Sequence, residues 1–294
     1  MASWWNSLAT VRAALWPEIS WAGMASNAPC HSIAWQITFF TNQNTAPPST
    51  FRLTALHRVP TRSNPNQSED GPAVALDGKW EIFKGAGSNS EAVVYRINTT
   101  QPRRSLSFVK VGDHLLHLLN QDGSLAIGDG GESYTLSRAD RAEKPGDRSQ
   151  VNNVPAISYR ISQLATGPTV FGVFEGRTPC HGISYELKLS PHAGCIKSKW
   201  RVTLYQDPET SAPTTYKVEG SLFREGAREG TWSMTRGAAT GANEIVYQLN
   251  ATPIQPALFF LKGDDNVLFF LNQDRELLVG HAEFSYTLNR VTPK

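Results

Sequence analysis

The chain reads as all-β, folded into two tandem antiparallel β-barrels, and three observations lead there. The first is a duplication. Residues 106–138, LSFVKVGDHLLHLLNQDGSLAIGDGGESYTLSR, align without a gap to residues 258–290, LFFLKGDDNVLFFLNQDRELLVGHAEFSYTLNR, at a constant offset of 152, with sixteen of 33 positions identical. The second is texture: short runs rich in aromatic and β-branched residues, separated by turn clusters. The third is what about eight such runs per copy must do. A meander either exposes two sheet edges or closes, and closure removes the edges.

Taken in order, residues 1–16 read as an N-terminal extension, and residues 6–14 are the one stretch whose spacing suits a short helix. The first barrel is expected over 17–138, a linker over 139–155 and the second barrel over 156–294. WQITFF from Trp35 matches WRVTLY from Trp200, and TFRL from Thr50 matches TYKV from Thr215, both at an offset of 165. From Gly78-Lys79-Trp80 against Gly230-Thr231-Trp232 the offset is 152, so the first copy carries about 13 extra residues between Leu53 and Trp80. They fall on the polar, proline-bearing run 61–71, expected to be a surface loop. VVYRIN from Val93 and ALFFLK from Ala257 are further strands. The clusters at 120–123 and 263–266 supply turn residues, so consecutive strands should pair as hairpins. Residues 139–155 are charged and proline-bearing without apolar periodicity, hence the linker.

At their front ends the copies differ. The second opens with the alternating segment VFEGRTPCHGI from Val173, then a hairpin arm over 183–189, then Cys195 and Trp200. The first has only Cys30 ahead of Trp35. It therefore lacks part of the opening strand pair or replaces it with a strand from residues 4–24.

Composition excludes several classes. A net charge of +2 without a basic cluster is not the footprint of a nucleic-acid-binding face. No run of 18 apolar residues is present, so no membrane-spanning helix is expected. Residues 1–17 lack the basic start and continuous apolar core of a secretory signal, and the chain as written is expected to be soluble. Three cysteines in 294 residues do not make a disulfide-rich scaffold.

The second copy carries FEGRTPCHGI from Phe174, Gly230-Thr231-Trp232, LFFLNQD from Leu268 and FSYTL from Phe284. In this order and spacing it resembles the copper resistance protein NlpE N-terminal domain family. The likeness covers most of 170–290 and, more weakly, 28–138. It implies a small lipocalin-like, calycin-type β-barrel, in relatives often an envelope lipoprotein linked to surface sensing, stress signalling and copper tolerance. Two departures stand out: Cys180 is the only cysteine at the family's Cys-x-x-Cys position, and no lipid-accepting cysteine lies near Met1.

The candidate site residues are few. Cys180, His181, His192 and Cys195 offer two thiols and two imidazoles, a ligand set suited to copper(I) or zinc if the ends of the hairpin meet. The same cysteines could instead be a disulfide or two buried thiols. Trp80 and Trp232, each two residues after a glycine, are similar to the Gly-x-Trp of lipocalins, where the ring closes the barrel floor. His114 and His117 lie three apart, which on a strand sends them to opposite faces, His114 to the surface and His117 to the core. Ser184, His181 and Asp207 are the materials of a triad, but no nucleophile elbow accompanies them. Asp264 and Asp265 sit in an expected turn rather than as a catalytic pair. No catalytic residue is assigned. The expectation is a non-catalytic binding or envelope-sensing protein for a small apolar ligand or a protein partner. Copper or zinc handling, and an enzyme that uses a barrel cavity, are the alternatives.

Overall fold

A computed structural model describes residues 2–11, 32–42, 45–60, 68–87, 89–100, 105–128, 130–131, 133–143, 169–191, 194–223, 226–253 and 255–291. The described residues are almost entirely strand. The first sheet runs through β1 (Ala2–Val11), β2 (Ser32–Asn42), β3 (Thr45–Pro60), β4 (Ser68–Ala86), β5 (Asn89–Thr99), β6 (Ser105–Lys110), β7 (Leu115–Leu118) and β8 (Thr135–Arg138). The second comprises β9 (Val170–Pro179), β10 (Lys197–Gln206), β11 (Pro213–Gly220), β12 (Arg228–Ala238), β13 (Gly241–Leu249), β14 (Leu258–Lys262), β15 (Val267–Leu271) and β16 (Thr287–Arg290). A short helix, α1 (His181–Glu186), joins β9 to β10. In each sheet neighbours in sequence pair antiparallel, and the order closes, β1 on β8 and β9 on β16.

The duplication is written into the register. Tyr95 stands opposite Phe108, Phe108 opposite Leu118 and Leu116 opposite Leu136. Tyr247, Phe260, Phe270, Leu268 and Leu288 repeat these pairs 152 residues on. On the front strands Ile37 faces Leu53 as Val202 faces Val218. A one-residue slip would turn every apolar side chain out of the barrel, so the alternating pattern holds the register. Each interior is a packed cluster: Trp35, Phe39, Phe51, Trp80, Tyr95 and Phe108 are among the buried residues of the first. Trp200, Leu204, Tyr216, Trp232, Tyr247 and Phe260 hold the same places in the second.

Three expectations need correction. Of the expected helix over 6–14, residues 6–11 are strand: β1 takes residues 2–11 into the first sheet, as the substitute opening strand, so this part of the extension assigned to 1–16 belongs to the barrel wall, while 12–16 lie outside the described residues. β1 even repeats the irregularity of β9, for the register skips Trp4 opposite Phe39 and Phe40 as it skips Phe171 opposite Leu204 and Tyr205. Closure demands a strand there, and backbone pairing supplies it whatever the side chains. The thirteen-residue insertion is not a loop. β3 runs five residues (56–60) beyond the end equivalent to Gly220, and β4 begins eight residues (68–75) before the start equivalent to Arg228. These arms pair with each other through Val59 and Glu69, and Pro60 and Ser68. Of the run 61–71 expected as a loop, residues 68–71 lie in β4, and 61–67 lie outside the described residues. Finally, the arm expected over 183–189 is α1 with its C-terminal turn.

The chain divides into two compact units, Met1–Ala126, Tyr134–Ala142 and His281–Glu283 in one, and Ile127–Ser133, Glu143–Gly280 and Phe284–Lys294 in the other. Glu143, expected in the linker, thus belongs to the second unit. Its carboxylate accepts from the Tyr286 hydroxyl and from the Gly182 amide. Residues 144–168 of the chain lie outside the described residues. Among the described residues no helix is long and apolar enough to cross a membrane.

Candidate functional site

Up-and-down connectivity gives each barrel two unlike ends. In the second, α1 and the connections after β11, β13 and β15 gather at one end; the turns after β10, β12 and β14 form the other. At the first end α1 buries Ile183 and Leu187 against the cluster that holds Phe223 and Tyr286, and so stops the barrel. Ser184 belongs to this stopper: its hydroxyl donates to the Cys180 carbonyl at 2.6 Å, which ties the first turn of α1 down.

The cysteines close the same end. Cys180 and Cys195 form a disulfide with Cα atoms 5.9 Å apart. Bonded sulfurs have no thiolate to give a metal, His181 is exposed, and His192 lies outside the described residues. Of the copper or zinc set of Cys180, His181, His192 and Cys195, the two cysteines are therefore joined to each other rather than free as ligands. The triad materials are also dispersed, because Asp207 lies at the opposite end. Its carboxylate accepts from the Glu209 and Thr210 amides in the β10–β11 turn.

Trp80 and Trp232 are buried beneath that opposite end, which we call the rim. The Trp80 indole donates to the Phe40 carbonyl at 3.0 Å and the Trp232 indole to the Tyr205 carbonyl at 2.6 Å, pinning each ring to the strand across the barrel. Trp80 stacks with Phe39 and Tyr95 at centroid distances of 4.9 and 5.7 Å, Trp232 with Phe171 and Tyr247 at 5.1 and 5.4 Å. The preceding glycines make room. A Cβ at Gly230 would meet the Tyr216 ring at 2.8 Å, and one at Gly78 would overlap the Asn98 carbonyl.

His117 is fully buried, as expected for the core, but it lies on the face of β7 opposite Leu116 and Leu118. Its Nε2 donates to the Ala126 carbonyl, and its Nδ1 shares a hydrogen bond with the Thr135 hydroxyl, both at 2.9 Å. Burial pulls its pKa down to about 4, against the smaller opposing effect of the Ala126 hydrogen bond. His114 is half-buried in the β6–β7 turn.

The rim combines apolar exposure with charge. Ile82 follows Trp80 by two residues, hence on the inward face, yet is 45% exposed. Met234 follows Trp232 in the same way and is 43% exposed. Val93 and Ile245, again 152 apart, pack partly buried beside them. In the second barrel the bulge at Phe171 turns that ring inward over Trp232 and Tyr247. Around this apolar mouth each copy sets one lysine, one aspartate, one tyrosine and one arginine: Lys110, Asp113, Tyr95 and Arg138, then Lys262, Asp265, Tyr247 and Arg290. Lys110 bonds Asp113, and Lys262 bonds Asp265, each at 2.7 Å. Those ammonium partners hold both carboxyls below the usual range. Burial raises both tyrosine hydroxyls, with the aspartates adding, and Tyr247 reaches about 12 despite the opposing charge of Arg290. Asp264 is a turn residue, its carboxylate accepting from the Asn266 and Val267 amides.

None of these rim residues was singled out from sequence except Trp80, Trp232 and the turn aspartates. A signal existed: Tyr, Lys, Asp and Arg are identical in both copies at the fixed offset. Identity alone does not separate a rim from a turn, however, and which end is open depends on where α1 packs. Compared with family models, curated proteins and solved structures, the chain matches none.

Proposed function

We propose that the chain is a non-catalytic binding protein, two lipocalin-like barrels that take small apolar ligands at their rims. One observation carries this reading: Ile82 and Met234 expose an apolar side chain at the same inward-facing position of both copies. Each such residue forgoes burial free energy of roughly 25 cal/mol per Å² of apolar surface, which a ligand or an apolar partner segment would restore. The Trp–Tyr floor beneath is packed and buried, so ligand would sit at the mouth rather than deep inside. The resemblance to NlpE N-terminal domains supports the lipocalin-like assignment and, with it, a sensing role at the cell envelope. Copper or zinc handling draws no support from cysteines joined to each other. The test is uptake of the uncharged fluorescent probe N-phenyl-1-naphthylamine by the full chain. I82D and M234D should each remove part of the signal while leaving the unfolding transition in place, and the double variant should remove it. Uptake unchanged in the double variant would overturn the assignment.

A further inference from the structure

We infer that the rim of the second barrel selects apolar molecules bearing one carboxylate, and that Arg290 binds that group. The inference rests on the apolar-rim reading and adds the head group of the ligand.

Arg290 follows the core residue Leu288 by two on β16, so it points toward the barrel interior at the mouth. Its place is prepared. Gly172 leaves the space, since a Cβ there would lie 2.7 Å from Nη1 of Arg290. The guanidinium carbon sits 4.9 and 5.6 Å from the ring centroids of Phe174 and Phe171. Nε donates to the Asp265 carbonyl at 2.7 Å and Nη1 to the Phe171 carbonyl at 2.9 Å. These bonds orient the fork and use two of its five N–H donors.

What the cation lacks is a directly bonded counter-ion. Among the described residues no carboxylate forms an ion pair with Arg290; that of Asp265 bonds Lys262 and acts on Arg290 only from a distance. In the first copy the equivalent Arg138 pairs with Asp140 at 2.8 Å. The two rims have diverged at this point. A half-buried cation with no directly bonded anion still has donors to offer, and a planar carboxylate can take them two at a time. A second polar group waits beside it: Tyr247 is 2% exposed, and its hydroxyl makes no hydrogen bond among the described residues. It lies near enough to Asp265 and Arg290 for both to act on its proton, and it stays a donor at neutral pH. Met234, Ile245 and Phe171 supply the apolar wall for the rest of the ligand.

The experiment is calorimetric titration of the full chain carrying I82D, which silences the first rim, with dodecanoate and with dodecan-1-ol below their aggregation limits. The acid should bind about tenfold to a hundredfold more tightly than the alcohol, the range for hydrogen bonds to a charged group. R290M should bring the acid down to the level of the alcohol and leave the alcohol unchanged. Y247F should weaken the acid alone, by a smaller factor. If R290M does not fold, R290K serves, and a reduced preference for the acid supports the inference while an unchanged one overturns it. Equal binding of acid and alcohol in the parent would overturn the inference while the apolar rim stands. Binding of neither would remove both.

Discussion

Thr178 offers a direct test of how the second barrel is held together. Its hydroxyl accepts from the Trp200 indole at 2.8 Å and donates to the Pro179 carbonyl at 3.0 Å, and both side chains are fully buried. T178V keeps the shape and removes the acceptor, so the indole N–H is left unpaired in an apolar core. An orphaned buried donor costs about 1–3 kcal/mol. In a unit of this size about 2 kcal/mol lowers the unfolding midpoint by roughly 4–8 °C. The first copy already carries the equivalent change. Its register puts Val11 opposite Ile33, as Thr178 stands opposite Ser198, and the Trp35 indole nitrogen is buried without a partner among the described residues. Thermal and urea unfolding of wild type, T178V, W200F and the double variant would isolate the bond, with a coupling on the order of 1 kcal/mol expected. T178V within about 0.5 kcal/mol of wild type, or a coupling of zero, would refute the reasoning.

Three further outcomes follow from the geometry. Replacing Cys180 and Cys195 by serine should cost about 3 kcal/mol, the chain-entropy value for a loop closed at a separation of 15, measured by urea unfolding with and without reductant. His117, with its pKa drawn from 6.5 to about 4, should make stability fall as pH drops through that window, because the unfolded chain takes up a proton that the folded ring refuses. The loss approaches about 3 kcal/mol near pH 4 and levels off below it; in H117F, which copies Phe269, the difference between pH 6.5 and 4 should shrink by that amount. G78A should destabilise more than G230A, since its methyl would strike a backbone carbonyl rather than only the Tyr216 ring; equal unfolding midpoints would count against the close packing described.

How much was legible in the sequence depends on the range of the interaction concerned. The duplication, the strands, the hairpin turns and the shared register were readable, because alternation with a period of two and identity at a fixed offset are local properties of the chain. Trp80 and Trp232 were expected in the floor by their likeness to the Gly-x-Trp of lipocalins, and both are buried. By contrast, residues 2–11 read as an extension because their side chains match nothing in the second copy; only the need of β2 and β8 for a neighbour makes them β1. The insertion read as a loop because it is polar, whereas strand arms beyond the barrel need no apolar face when they pair with each other. The segment 183–189 alternates well enough for a strand, and Ile183 and Leu187, four apart, share a face in a strand as in a helix, so only the packing across the barrel end decides for α1. The sequence by itself therefore determined the repeated antiparallel framework. The tertiary structure decided which end is stopped, which cysteines join, and that Arg290 stands over a gap left by Gly172, because each of these depends on strands far apart in the chain arriving at one place.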